Sequence, residues 1–287
     1  MNHHIGDRKD GKLLRELDSM HFITPILYPN RCDNEAFISE RIDLTKTVAY
    51  LDRRNSENPE YRYKLFQIIL AAMLKTVTLK PKLNRFVANR NFYLRNELTA
   101  SFVVKKEFSD EAGEALAFLH AEPEDTLDTI HEKIFRQVSG CRSDKADAST
   151  EAMDIVNKMP RFLSKSIVRF ICFLDRHGWV PASLIASDPY YSTVVLTNLG
   201  SIKLRSGYHH LTNWGTNSIF VAIGALKKRP FFEEDGTVTM RPSIDLGLTI
   251  DERLADGYYY SGAVRLLKTL VENPELLELP LNQKIDI

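Results

Sequence analysis

Thr249-Ile250-Asp251-Glu252-Arg253-Leu254-Ala255-Asp256-Gly257 decides how this chain is read, because a strand ends in it and a helix begins. Upstream, Ile244, Leu246, Leu248 and Ile250 alternate with Asp245, Gly247, Thr249 and Asp251, the period-two pattern of a strand. Downstream, Tyr259, Ala263, Leu266, Leu267 and Leu270 mark a closing helix, and Asp256-Gly257 is a common capping and turn element ahead of it. Asp251, Glu252 and Arg253 crowd three charges into the joint.

Other strands precede this one. Ser192 to Thr197, Ser218 to Leu226 and Thr237 to Arg241 are predicted strands, with Glu234-Asp235-Gly236 as a hairpin turn. In the N-terminal half, Ala36, Ile38, Ile42 and Leu44 alternate with Phe37, Ser39, Arg41 and Asp43, which predicts a first strand. Leu65, Ile68, Ile69, Ala72, Met73 and Thr76 recur at three and four until Pro81 stops the pattern, so Tyr61 to Leu79 reads as a helix. Phe86 to Leu94 and Thr99 to Lys105, separated by Arg95-Asn96-Glu97, suggest an antiparallel pair. Residues 109–185 read as a helical excursion from the sheet, with helical spacing in Asp125 to Val138 and Phe162 to Leu174 and a polar loop from Ser139 to Thr150. No repeat of solenoid period is visible.

Composition narrows the classes. A chain of 287 residues with 44% hydrophobic residues buries a full core, and one domain spanning residues 1–287 accommodates it. Thirty-eight basic against 38 acidic residues argue against a nucleic-acid partner. Cys32, Cys141 and Cys172 are odd in number and not spaced for zinc or a disulfide framework, which fits reduced thiols in a cytoplasmic protein and no metal. The start of the chain lacks the apolar run of a signal peptide. Phe162 to Val180, the longest apolar candidate, is broken by Lys165, Arg169, Asp175, Arg176 and His177 and is too polar to be a transmembrane segment. Its mixture of aromatic and basic residues reads either as a core-packed helix, the preferred expectation, or as a basic amphipathic surface that docks on a membrane or partner.

Four segments in order carry a resemblance. The helix closing in Pro81-Lys82-Leu83-Asn84, the stretch Val195-Leu196-Thr197-Asn198-Leu199-Gly200-Ser201, the strand Ser218-Ile219-Phe220-Val221-Ala222-Ile223-Gly224 and the Asp251 to Gly257 turn resemble the catalytic core of 2-oxo acid dehydrogenase complex dihydrolipoamide acyltransferases, which share the chloramphenicol acetyltransferase fold. The similarity is clearest from about Thr193 to the C-terminus and weaker from about Phe37 to Lys106. It implies an α/β (α+β) two-layer sandwich with a mixed sheet. It also implies a homotrimer or higher assembly with active sites between subunits, and coenzyme A or acyl-coenzyme A as substrate. Neither a lipoyl domain nor a peripheral-subunit-binding domain is legible, so no covalently bound lipoate is expected; any lipoyl-bearing or dehydrogenase partner would act in trans. Ser143-Asp144-Lys145-Ala146 is similar to a lipoyl-lysine motif, but its flanks read as helix and loop.

The resemblance also assigns roles. In the family the turn reads Asp-His-Arg-x-x-Asp-Gly and its histidine is the general base; Glu252 stands there in this chain. Asp256 and Arg253 keep the family letters, the aspartate holding the turn through an ionic contact. Thr197 matches the hydroxyl that stabilises the oxyanion, contributed by a neighbouring subunit. Asn198, Gly200, Ser201 and His210 are candidate substrate-binding residues, and the pair His209-His210 offers a replacement base. A carboxylate is roughly two pKa units less basic than an imidazole, on the order of 3 kcal/mol, which burial can restore. An ionised carboxylate only accepts, however, whereas a neutral imidazole donates from one nitrogen and accepts at the other. Two readings stay open: acyl transfer between coenzyme A and a thiol or other acceptor with Glu252 as an altered base, and a catalytically silent trimeric core or regulatory subunit, a pseudoenzyme.

Overall fold

The computed structural model describes residues 4–105, 114–141, 156–181, 185 and 188–285. The strands in chain order are β1 (Gly11–Leu13), β2 (Glu35–Asp43), β3 (Arg85–Ala88), β4 (Asn91–Arg95), β5 (Leu98–Lys105), β6 (Glu114–Ala121), β7 (Val194–Asn198), β8 (Ile219–Ile223), β9 (Lys227–Phe232) and β10 (Val238–Asp251). The helices are α1 (Ser19–Leu27), α2 (Thr45–Ser56), α3 (Leu65–Leu79), α4 (Leu127–Cys141), α5 (Arg161–His177) and α6 (Gly257–Glu272).

The main sheet has the order β2-β10-β8-β7-β5-β6, with β9 paired to the first half of β10. β5, β7 and β8 run parallel, whereas β10 is antiparallel to β8 and β2, and β6 to β5. This is the expected mixed sheet. One face carries Phe102, Leu196, Val221 and Leu248, which pack with Tyr50 of α2, Ile68 of α3, Ile130 of α4 and Leu266 of α6 in one continuous core. Helices on one face and a sheet on the other make the two layers. α3 is the central helix: 11 of its 15 residues are buried, Lys75 among them. Its ammonium donates to the carbonyls of Leu276, Leu279 and Pro280, so the one buried charge of the helix ties the C-terminal turn to the core.

On the other face, the loop between β7 and β8 lies against the sheet. Val195, Leu211 and Phe220 form a small apolar cluster under it, and the His209 ring stacks on Phe220 with centroids 4.1 Å apart. Gly247 is required here, because a Cβ at that position would overlap the Gly207 carbonyl. A second, three-stranded sheet, β1-β4-β3, sits beside the end of β10.

Several expectations need correction. The segments around Arg95-Asn96-Glu97 do not pair with each other. β4 pairs with β3 and β1, while β5 joins the main sheet. The hairpin instead turns at Asn89-Arg90, both with positive φ (45° and 64°), the conformation of a two-residue turn that matches strand twist. The span 109–185 is not wholly helical either, since β6 falls inside it and pairs along the length of β5. The two segments read as Thr237–Arg241 and Ser243–Asp251 fall in one strand of 14 residues, Val238–Asp251, that changes partners along its length; its first half pairs with β9, which carries Pro230 at a sheet edge. The preferred core position of the Phe162 segment is overturned: on α5 only Asp175 is buried, and Phe162, Leu163, Phe170 and Phe173 are exposed. Lys145 lies outside the described residues. Among the described residues no helix is long and apolar enough to cross a membrane, and no three or more His, Cys, Asp or Glu side chains are placed to hold a metal ion.

Candidate functional site

The turn after β10 is held from every side except one. Asp251 and Arg253 are buried, and the guanidinium grips the carboxylate at two points, Nε to Oδ1 at 2.8 Å and Nη2 to Oδ2 at 2.6 Å. The remaining Arg253 nitrogen donates to the carbonyls of Tyr28 and Pro29, which fastens the segment after α1 to the turn. The Tyr260 hydroxyl donates to the Asp251 carbonyl at 2.7 Å, and the Glu252 amide donates to the Asn34 carbonyl at 2.9 Å. Leu254, fully buried, packs with Val87 and Phe92 of the small sheet. Full burial of a leucine is worth roughly 1.5–3 kcal/mol.

Glu252 is what this clamp presents. Its side chain is exposed, and among the described residues no hydrogen bond or ion pair engages its carboxylate. A rigid backbone with a free side chain suits a group that acts on something outside its own chain.

Behind the turn lies further positive charge. Arg31 is buried, donates to the carbonyls of Thr212 and Val87, and stands 3.8 Å from Asp251. Burial pulls its guanidinium down to about 10, with the Asp251 charge opposing that drop. Arg31, Arg90, Asp175 and Asn213 line a cavity of about 280 Å³ on that side. Arg31, Leu254 and Tyr260 did not stand out in the sequence. The helical spacing runs from Tyr259 and passes over its buried neighbour Tyr260, and nothing local marks Arg31, whose partner is 220 positions away.

Asp256 caps α6. Its carboxylate accepts from the Tyr259 amide at 2.8 Å, and that hydrogen bond holds its pKa below the ordinary value. The ionic contact that holds the turn is made by Asp251, two positions before Arg253, and Asp256 is exposed.

Thr197 lies elsewhere. Its register partner is Ala222, whose partner is Gly247, five residues before Glu252. At about 3.3 Å per residue and 4.8 Å per strand, Thr197 and Glu252 are offset by roughly 16 Å along the sheet and 10 Å across it. One chain does not bring them together. Asn198 and Ser201 form a local turn with Thr197: the Asn198 side chain accepts from the Ser201 amide, and the Ser201 hydroxyl donates to the Asn198 carbonyl. Gly200 is packed so tightly that a Cβ would stand 2.6 Å from the Gly224 carbonyl oxygen. His210 belongs to the Glu252 end of the sheet instead. The next residue, Leu211, donates its amide to Glu35, the register partner of Asp251. The His210 ring is exposed, with Nδ1 3.1 Å from the Leu211 carbonyl.

Residues 182–279 match the model of the 2-oxoacid dehydrogenases acyltransferase (catalytic domain) family. No curated protein matches the chain. Among solved structures, a probable dihydrolipoamide acetyltransferase from Listeria monocytogenes superposes with a TM-score of 0.60 at 15% identity, over 91% of this chain and 95% of its own. The dihydrolipoamide acetyltransferase of Azotobacter vinelandii gives 0.61 at 13% identity, over 93% and 94%. A chloramphenicol acetyltransferase gives 0.51 at 13% identity, over 93% and 99%. At such identities the likeness is one of fold. A mixed sheet backed by helices on one face, ending in the clamped Asp251-to-Gly257 turn, is the chloramphenicol acetyltransferase-like fold, and the chain resembles the acyltransferase catalytic domain of the 2-oxo acid dehydrogenase complexes.

Proposed function

We propose that this chain is a stand-alone acyltransferase core that moves acyl groups between coenzyme A and a thiol or other acceptor, in sites shared by two copies, with Glu252 of one copy as base and Thr197 of the next at the oxyanion. The exposed Glu252 carboxylate on a clamped turn carries the proposal. In the Azotobacter enzyme, a serine, a histidine and an asparagine were examined for catalytic roles, the last two four positions apart and the serine 52 before the histidine. Here Glu252 and Asp256 are four apart and Thr197 is 55 before Glu252.

The chemistry needs three things. A base takes the proton from the attacking thiol or hydroxyl, the nucleophile adds to the thioester carbonyl, and a donor stabilises the oxygen that becomes negative. A carboxylate that faces water when the chain is alone becomes desolvated when a second copy covers it, and desolvation raises its proton affinity. Thr197 is half-buried, and its hydroxyl is the donor that this reading assigns to the oxyanion. The separation of the two residues asks for a second copy at each site, and the proposed assembly is a homotrimer or larger. Cores of this fold do assemble, as in the cubic core of the pyruvate dehydrogenase multienzyme complex.

One observation favours a second reading. Among the described residues no group orients the Glu252 carboxylate, so a silent core that binds without turnover is the alternative. Thiol release from acetyl-, succinyl- and longer acyl-coenzyme A separates the two, using wild type, Glu252→Gln and Glu252→His. Turnover in wild type that Glu252→Gln abolishes supports the base. No turnover with any acceptor in wild type, gained in Glu252→His, establishes the silent core.

A further inference from the structure

α5 has the composition of an interfacial helix, and the fold leaves that composition uncovered. At 100° per residue, Arg161, Lys165, Arg169 and Arg176 fall within a sector of about 80°. Phe162, Phe173, Phe170 and Leu163 fill the adjoining sector of about 100°. Both sectors face solvent: Phe162 is 74% and Phe170 60% exposed, and all four basic residues are exposed. The single acid of the helix, Asp175, points the other way, where it is buried, accepts from Tyr191 at 2.6 Å and from the Gly215 amide at 3.2 Å, and stands 3.9 Å from Arg8. The helix is thus moored to the domain at its C-terminal end. Gly178, in the left-handed conformation at φ 70°, closes it and turns the chain so that Trp179, 60% exposed, packs on His177 beside Phe173.

We propose that this face lies flat on an anionic lipid surface. Charge selects the occupant. Among the described residues none of Arg161, Lys165, Arg169 and Arg176 is engaged in an ion pair, so the face offers four uncompensated positive charges beside its aromatic row. Pairing the same face of a second copy about a two-fold axis would set these charges against one another, and a contact with a different face of a copy is the outcome that the sedimentation mass reads. Anionic headgroups neutralise them, and the neighbouring aromatic side chains reach the headgroup and acyl boundary, the depth that Trp and Phe favour. The helix is too interrupted by charge to span, so it binds along the surface. The inference does not depend on whether Glu252 is catalytic.

The test is co-sedimentation of the full chain with vesicles of phosphatidylcholine alone and of phosphatidylcholine mixed with phosphatidylglycerol, at low and high salt. The expected result is capture by the mixed vesicles only, weakened by salt. Phe162→Asp with Phe170→Asp, and separately Lys165→Glu with Arg169→Glu, each reduce capture about tenfold or more, while the far-ultraviolet spectrum stays unchanged because these side chains are exposed. Sedimentation mass is measured on the same samples. Wild type that pellets with neither vesicle overturns the proposal. So does capture that both double variants retain, or a double variant whose assembly mass falls while vesicle capture is unaltered, which would make the face a contact between copies.

Discussion

Arg253 closes a two-point fork on Asp251, two residues earlier in the chain, and both side chains are buried. The pair encloses the residue between them without touching its side chain. The fork therefore sets the backbone that aims Glu252 and, among the described residues, leaves its carboxylate unengaged. Arg31, at 3.8 Å from the Asp251 carboxylate, helps to hold that charge in a buried place.

Removing the fork should cost far more than removing what it presents. Arg253→Met strands the Asp251 carboxylate, a change worth about 3–5 kcal/mol for a buried pair, and frees the carbonyls of Tyr28 and Pro29. Glu252→Gln should stay within about 0.5 kcal/mol, as exposed substitutions do. Urea unfolding with an unchanged slope measures both. A loss for Arg253→Met no larger than that for Glu252→Gln would mean that the turn is held by Leu254 and by its contacts with Tyr260 and Asn34, without the fork.

Asp256 gives an acid-side signature. Its folded pKa lies below the unfolded value of about 3.9 because the Tyr259 amide donates to it. The capping contribution is therefore complete above about pH 3.9 and is lost as the pH falls through the depressed value. Asp256→Asn keeps an acceptor and should remove only the pH-dependent part, whereas Asp256→Ala should lower stability at all pH values. Urea midpoints followed from neutral pH into acid compare the three proteins. Parallel curves for wild type and Asp256→Asn would show that the cap carries no ionic component.

His131 also costs stability toward acid, but in a higher pH window and because burial disfavours its charged form. The ring is buried in a stack with Tyr63, centroids 3.8 Å apart, and burial lowers its pKa, with Asp128 and Arg54 acting on it in opposite directions. Above about pH 6.5 both states are neutral and the group costs nothing. Below that, the unfolded chain takes the proton first, so stability falls until the folded histidine protonates as well. His131→Phe keeps a ring in the stack and should flatten the stability profile between about pH 6.5 and the lower folded value. A profile as steep as wild type would place the titration on another group.

What was legible in the sequence followed from period and spacing. The alternation around Leu246 and Leu248 located β10, and the four-residue rhythm of Ile68, Ala72 and Thr76 located α3, because both elements pack into a single large core. β6 was missed because Glu114-Ala115-Leu116-Ala117 is made of good helix formers; eight paired positions with β5 outweigh that preference. The Asn89-Arg90 turn was missed for want of a glycine. In sequence, α5 reads by preference as a core-packed helix over a basic amphipathic surface, because periodicity states that a helix has two faces and not which one the fold covers. At the site, Asp251, Glu252 and Arg253 are adjacent and could be found together, whereas Arg31 reaches Asp251 only through the folded chain.

The separation of Thr197 and Glu252 predicts how mixtures of variants behave. With the two residues at different ends of the sheet, the proposed site takes Glu252 from one copy and Thr197 from the next. Thr197→Val and Glu252→Gln should each be nearly inactive alone. Unfolded together and refolded as an equal mixture, they should regain about a quarter of the wild-type rate, since a random pairing joins an intact Glu252 to an intact Thr197 one time in four. Where wild type turns over only after Glu252→His, the mixture is made with that substitution in the Thr197→Val chain. A site contained in one chain gains nothing on mixing, because every copy carries one lesion. Recovery well above a quarter would mean that one of the two variants was not inactive in its own assembly, so each is assayed alone under the same refolding conditions. A gain near a quarter, with both variants silent alone, requires that the base and the oxyanion donor come from two copies of the chain.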